Sequence, residues 1–120
     1  MKSMGIKNHD DTELEDSKPY IIVKIIEYVP NAVVVKTIIK KSTGNISVMS
    51  FDSGEGLEEK VSPFDTFIQI IEGEAEVVID SVSNYLHTGH GIIIPAHLPN
   101  HIKPNERFKM LSTVIKSGYE

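Results

Sequence analysis

The stretch GEGLEEKVSPFDTFIQIIEG, running from Gly54 to Gly73, has a glycine at each end and an apolar run, FIQII, before the second. Extended by the residues after it, the run becomes FIQIIEGEAEVVID. Two segments rich in Ile, Val and Phe flank Glu72 and Gly73, which predicts a hairpin whose glycine supplies the positive φ of the turn. Pro63, Phe64 and Asp65 form a turn at the entrance to the first strand, with Phe64 packed on the rim. Glu72, Glu74 and Glu76 alternate with apolar residues, the pattern of a solvated sheet face. Gly54 and Gly56 precede a strand, and they lack the helix and Lys-Ser/Thr signature of a phosphate-cradling loop.

The same texture continues on both sides. From Val33 onward, short β-branched runs are broken by turn residues at close intervals, which predicts an all-β sandwich or barrel. AVVVKTIIKK is one strand, and Thr43 and Gly44 turn it into NISVMSF. In that second run Ile46, Val48 and Ser50 share one face, while Ser47, Met49 and Phe51 lie on the other, one face being core and the other partly covered. SVSNYLHTGHG supplies a turn, a short strand and a further turn. GIIIPA is a buried strand that stops at Pro95, where a ladder donor is missing. RFKMLSTVIK closes the pattern with Phe108, Met110 and Ser112 on one face and Lys109, Leu111, Thr113 and Ile115 on the other. PYIIVKIIEYVP fits a short helical turn as well as it fits a strand. Residues 1–18 are polar and acidic, an arm that is mobile or completed by a partner, leaving 19–120 as a single domain.

A chain of 120 residues suits one domain that buries roughly two-thirds of its unfolded surface. It contains no cysteine, which excludes disulfides, thiolate metal sites and cysteine nucleophiles. A formal charge of −5 without a basic cluster argues against nucleic acid and against an anionic membrane surface. No apolar leader region and no window near the roughly 20 apolar residues of a membrane span are present, so a soluble, cytoplasmic protein is expected.

The order of strands and the positions of glycine and proline resemble the cupin superfamily, in its small single-domain, RmlC-like branch. Two motifs carry the resemblance. The first runs glycine, five residues, His-x-His, three or four residues, Glu, six residues, glycine; here Gly54 and Gly73 are kept, while Lys60, Ser62 and Thr66 occupy the ligand positions. The second runs glycine, five residues, Pro-x-Gly, two residues, His, three residues, Asn; here Gly89 and Pro95 are kept, with His97 for the glycine, Asn100 for the histidine and Pro104 for the asparagine. The likeness covers about Val33 to Lys116. It implies an all-β cupin barrel, also described as a double-stranded β-helix or jelly roll, and a homodimer, as among its relatives.

At the metal positions the chemistry does not follow the family. Cupin metals are held by imidazoles and one carboxylate, whereas a protonated lysine has no lone pair and Ser, Thr and Asn are weak neutral ligands. No metal or other cofactor is therefore expected at the inherited position. His97 and His101 lie near the barrel mouth, but a neighbour in a strand points to the opposite face, so His101 should face away from Asn100. His87 and His90 flank a turn. Lys60 either enters the barrel, where desolvation would lower its pKa unless Asp65, Glu58 or Glu59 pairs with it, or reaches solvent beside those glutamates. Asn100 can orient a carbonyl or hydroxyl, or can serve as a satisfied strand-end amide. Three functions are compatible with these residues. The first is metal-independent binding or sensing of a small anionic or carbonyl-bearing compound by Lys60, Ser62, Thr66 and Asn100. The second is a cupin enzyme, of isomerase, lyase or oxygenase type, using Lys60 or a rebuilt His97/His101 metal site. The third is a structural barrel with a filled interior.

Overall fold

A computed structural model of the chain describes residues 8–10 and 12–116; the first seven residues of the expected arm lie outside them. Within them, β1 (Asn8–Asp10), β2 (Val33–Lys41), β3 (Gly44–Phe51), β10 (Phe108–Ile115), β5 (Asp65–Glu72) and β8 (Gly91–Ile94) form one sheet in that spatial order. A second sheet has the order β4 (Leu57–Lys60), β9 (Asn100–Ile102), β6 (Glu74–Ile79) and β7 (Val82–His87). The β1–β2 pairing is parallel and the others are antiparallel. One apolar core, fed by Val33, Phe51, Ile70 and Phe108 from the first sheet and Val77 and Ile102 from the second, joins the two layers. The all-β barrel expected from the β-branched runs is what forms.

The barrel is filled at one end and opens toward the other, and the strands carry that taper in their sequence. Phe51, Met49 and Ser47 of β3 sit directly opposite Phe108, Met110 and Ser112 of β10. The phenylalanine rings stack with centroids 4.3 Å apart and planes 10° from parallel, closing the barrel at that end. One tier on are two flexible methionines, and one tier further two small serines, so volume drains out of the core along both strands.

The outer face of β3 and β10 is also buried where the segment 20–32 crosses it. Ser50 Oγ donates to the Glu27 carbonyl at 2.8 Å, Lys109 Nζ donates to the Val23 carbonyl at 2.8 Å, and Ile26 is buried. Of the two conformations open to PYIIVKIIEYVP, a single 3-10 turn at Ile22–Lys24 forms, because the segment follows the sheet surface instead of extending the ladder. Residues of the acidic arm run along the β2 edge: Asp10 accepts from Lys36 Nζ at 2.9 Å, and Leu14 N–H donates to the Ile38 carbonyl at 3.1 Å.

Two sequence expectations are overturned. GIIIPA forms β8, but as the edge strand of its sheet, so Ile94 is buried while Ile93 on the outer face is exposed. FIQIIEGEAEVVID forms both strands but no hairpin, since β5 bonds to β10 and β8 whereas β6 bonds to β7 and β9. Gly73 is a corner at which the chain passes from one sheet to the other. Its φ is +88°, and a Cβ there would lie 2.7 Å from the Arg107 carbonyl oxygen, so both conformation and space require glycine. The true hairpin comes next, β6 to β7, around Asp80 and Ser81, with φ of 49° and 68°.

Candidate functional site

Above the methionine tier the two sheets enclose a cavity of about 270 Å³. Lys60, Ser62, Thr66 and Asn100 all line it. Its walls are otherwise apolar, built mainly from Met49 and Met110 below and Leu57, Ile68, Ile94 and Ile102 at the sides. Two polar lining residues, Ser47 and Ser112, were not among the expected site residues. The signal for them was present in the shared spacing Phe-x-Met-x-Ser, read away from the stacked rings, which puts each serine on the same face as its methionine.

Lys60 ends β4 and is the register partner of Asn100 in β9, which brings two residues forty positions apart face to face. Asn100 is buried, and its amide nitrogen donates to the Lys60 carbonyl at 3.3 Å and to the Leu98 carbonyl at 3.0 Å. Its Oδ1 accepts from Lys60 Nζ at 3.4 Å. The amide is thus both a satisfied strand-end group and the support that turns the lysine inward. Lys60 as a residue is exposed at the rim, while its ammonium points to Asn100 and the cavity. Desolvation of that inward end pushes its pKa below the ordinary lysine value, and no carboxylate among the described residues offsets the shift. Glu58 and Glu59 are exposed, and Asp65 accepts the Ala96 N–H at 2.8 Å.

Ser62 Oγ accepts the Phe64 N–H at 3.1 Å, making the turn at Pro63 and Phe64, and its carbonyl accepts the His97 N–H at 2.7 Å. Those bonds tie the loop before β5 to the loop before β9 at the mouth. His97 adopts φ +71°, keeping a left-handed backbone at the position where the second motif has glycine. Its side chain is exposed and does not line the cavity. His101 lies between two cavity-lining residues, Asn100 and Ile102, and therefore faces the other side of the sheet. At the β7–β8 turn, His87 Nδ1 is 3.1 Å from Glu74 Oε2, and the His87 and His90 rings are 5.5 Å apart.

The residues in the barrel do not fit the metal that the resemblance would bring. At the four motif positions the cavity presents an ammonium, two hydroxyls and an amide whose oxygen already faces that ammonium. A divalent cation there would meet a like charge and neutral donors of low affinity. Among the described residues no group of three or more His, Cys, Asp or Glu is placed to hold a metal ion.

No protein-family model matches the chain, and no match was found among curated proteins. Solved structures do match. A conserved protein of unknown function from Streptococcus pyogenes is 26% identical over 89% of this chain and 94% of its own, with a TM-score of 0.81. A cupin superfamily protein from Desulfitobacterium hafniense is 29% identical over 87% of this chain and 95% of its own, with a TM-score of 0.80. A cupin 2 conserved barrel domain protein from Leptotrichia buccalis is 26% identical over 81% of this chain and 47% of its own, with a TM-score of 0.78. The chain has the fold of a small cupin domain, and at the ligand positions of the two cupin motifs it carries Lys60, Ser62, Thr66 and Asn100.

Proposed function

We propose that this small cupin domain binds a small organic acid in its barrel without a metal, holding the carboxylate on Lys60. The observation that carries this is the inward Lys60 ammonium beside Asn100 in an otherwise apolar cavity. A cation placed there gains most from an anion that can share its desolvated setting, and the apolar walls favour a hydrocarbon body. The cavity speaks against a purely structural barrel with a filled interior. The test is saturation-transfer NMR in the presence of a chelator, comparing benzoate and hexanoate with the neutral benzamide and hexanamide. The acids should bind, the amides should not, and Lys60→Met should abolish binding. Equal binding of acid and amide would overturn the proposal.

The same lysine supports a second reading, an amine that attacks the carbonyl carbon of a small aldehyde or keto acid and forms an imine with loss of water. A pKa lowered by desolvation raises the fraction of free amine near neutrality. Borohydride trapping followed by mass mapping tests it: an adduct confined to Lys60 supports imine chemistry, and its absence removes this reading while leaving acid binding standing.

For the partner we propose a second copy of the chain, seated on the outer face of the six-stranded sheet. Ile39, Ile46, Thr113, Phe67 and Ile93 are successive register partners across β2, β3, β10, β5 and β8. Ile39, Phe67 and Ile93 are exposed, as is Ile115 beside them. A row of this kind, apolar except for Thr113 at its centre, suits a dimer interface better than solvent.

A further inference from the structure

Acid binding at Lys60 uses only one side of the cavity. Lys60 and Asn100 stand on the four-stranded sheet. On the opposing sheet, β3 and β10 present Ser47 and Ser112 as direct cross-strand partners, both lining the same cavity. They are partly buried, one tier above Met49 and Met110; Val35, Ile68 and Val114 beside them are hydrocarbon, while the buried Thr37 is the register partner of Ser47 on β2 and Thr66 of β5 lines the same cavity. Two hydroxyls side by side, with those of Thr37 and Thr66 nearby, form a concentrated polar point on this sheet, because each offers a donor and two acceptor lone pairs. Alanine or valine would have continued the taper from Phe to Met without this feature. The cavity therefore has two poles on facing walls: a cation, and a hydroxyl pair.

Taking acid binding at Lys60 as the premise, we propose that the ligand is bipolar, a small acid bearing a second polar group, a hydroxyl or carbonyl oxygen, separated from its carboxylate by an apolar body. The carboxylate meets Lys60 and the second group meets Ser47 and Ser112. The cavity of about 270 Å³ limits the whole to about nine or ten non-hydrogen atoms, taking a water's share of liquid volume as the unit. Ser47 and Ser112 are the specificity-determining residues: they discriminate among acids that Lys60 alone would accept. A site that hydrogen-bonds a ligand hydroxyl in apolar surroundings rejects the analogue lacking it, since the polar groups are then left unpaired.

Isothermal titration calorimetry with benzoate, 3-hydroxybenzoate and 4-hydroxybenzoate tests this on the wild type, on each single variant Ser47→Ala and Ser112→Ala, and on the double variant. At least one hydroxybenzoate should bind about tenfold more tightly than benzoate. The double variant should lose that advantage and bind benzoate at least as tightly as the wild type, since no hydroxyl is then left unpaired, and that binding also certifies that it is folded. Each single variant should lose part of it. Lys60→Met should abolish binding of all three acids. Equal affinities for benzoate and both hydroxybenzoates in the wild type, or an advantage that survives the double variant, would overturn the bipolar ligand while leaving acid binding at Lys60 intact. Failure of all three acids to bind would overturn both.

Discussion

Lys60 and Asn100 form a pair in which each residue has a different burden, and the two are separable by mutation. Lys60 has a native pKa below its ordinary value of 10.5, so between those two values the unfolded chain holds a proton that the folded chain does not. Stability then rises with pH across that interval, and at neutral pH the charged lysine opposes folding. Lys60→Met should raise the melting temperature at pH 7, and the gain should shrink as pH climbs toward 10.5; thermal unfolding at both pH values checks it. The bond from Lys60 to Asn100 is long, at 3.4 Å, so its loss should not cancel the gain. Asn100→Ala is the opposite case. It leaves the Lys60 and Leu98 carbonyls without their donor at a buried strand end, and should cost about 1–3 kcal/mol in denaturant unfolding. The positions of Lys60, Ser62, Thr66 and Asn100 were legible because motif spacing fixes which residues a barrel points inward, and all four do line the cavity. Asn100's support of Lys60 was not legible, since it depends on a register between β4 and β9 that no local pattern encodes.

Among the elements, most strands were legible, and with them the pairing of β2 to β3 through the turn before Gly44, but the partners of β5 and β6 were not. β5 and β6 flank a glycine and carry the alternation of a hairpin, yet a two-layer barrel needs places where the chain changes sheets, and a corner uses the same residue as a turn. What distinguishes the corner is the space around it. Gly54 and Gly73 both have positive φ, +83° and +88°, but a Cβ at Gly54 meets nothing within 4 Å while one at Gly73 meets the Arg107 carbonyl. Gly54→Ala should therefore cost about 1–2 kcal/mol from conformation alone, and Gly73→Ala clearly more. Urea unfolding of the two variants side by side gives the comparison. The mixed faces of RFKMLSTVIK have the same kind of explanation: Lys109 is buried because the segment 20–32 covers it from outside, a tertiary event that the strand's own periodicity does not reveal. At the closed end, Phe51→Ala removes one ring of the stack and should destabilise by about 3–5 kcal/mol.

For the whole molecule, the barrel's two surfaces divide the proposed roles, ligand inside and second copy outside. Charge placed in the outer row should separate them. Ile93→Glu should convert a dimer to a monomer in size-exclusion chromatography with light scattering, and should leave melting of the monomer near that of the parent because this side chain is already exposed. A wild type that is monomeric at all concentrations contradicts the dimer and leaves the cavity argument untouched. The central claim concerns that cavity: a cupin barrel in which an ammonium stands at the inherited metal position and an organic anion takes the metal's place. A crystal structure of the protein grown with benzoate, with anomalous data collected to locate metals, tests it most directly. The account predicts the carboxylate within hydrogen-bond distance of Lys60 Nζ inside the barrel and no anomalous peak there. A metal ion bound among Lys60, Ser62, Thr66 and Asn100, or a benzoate that avoids the cavity, would contradict it.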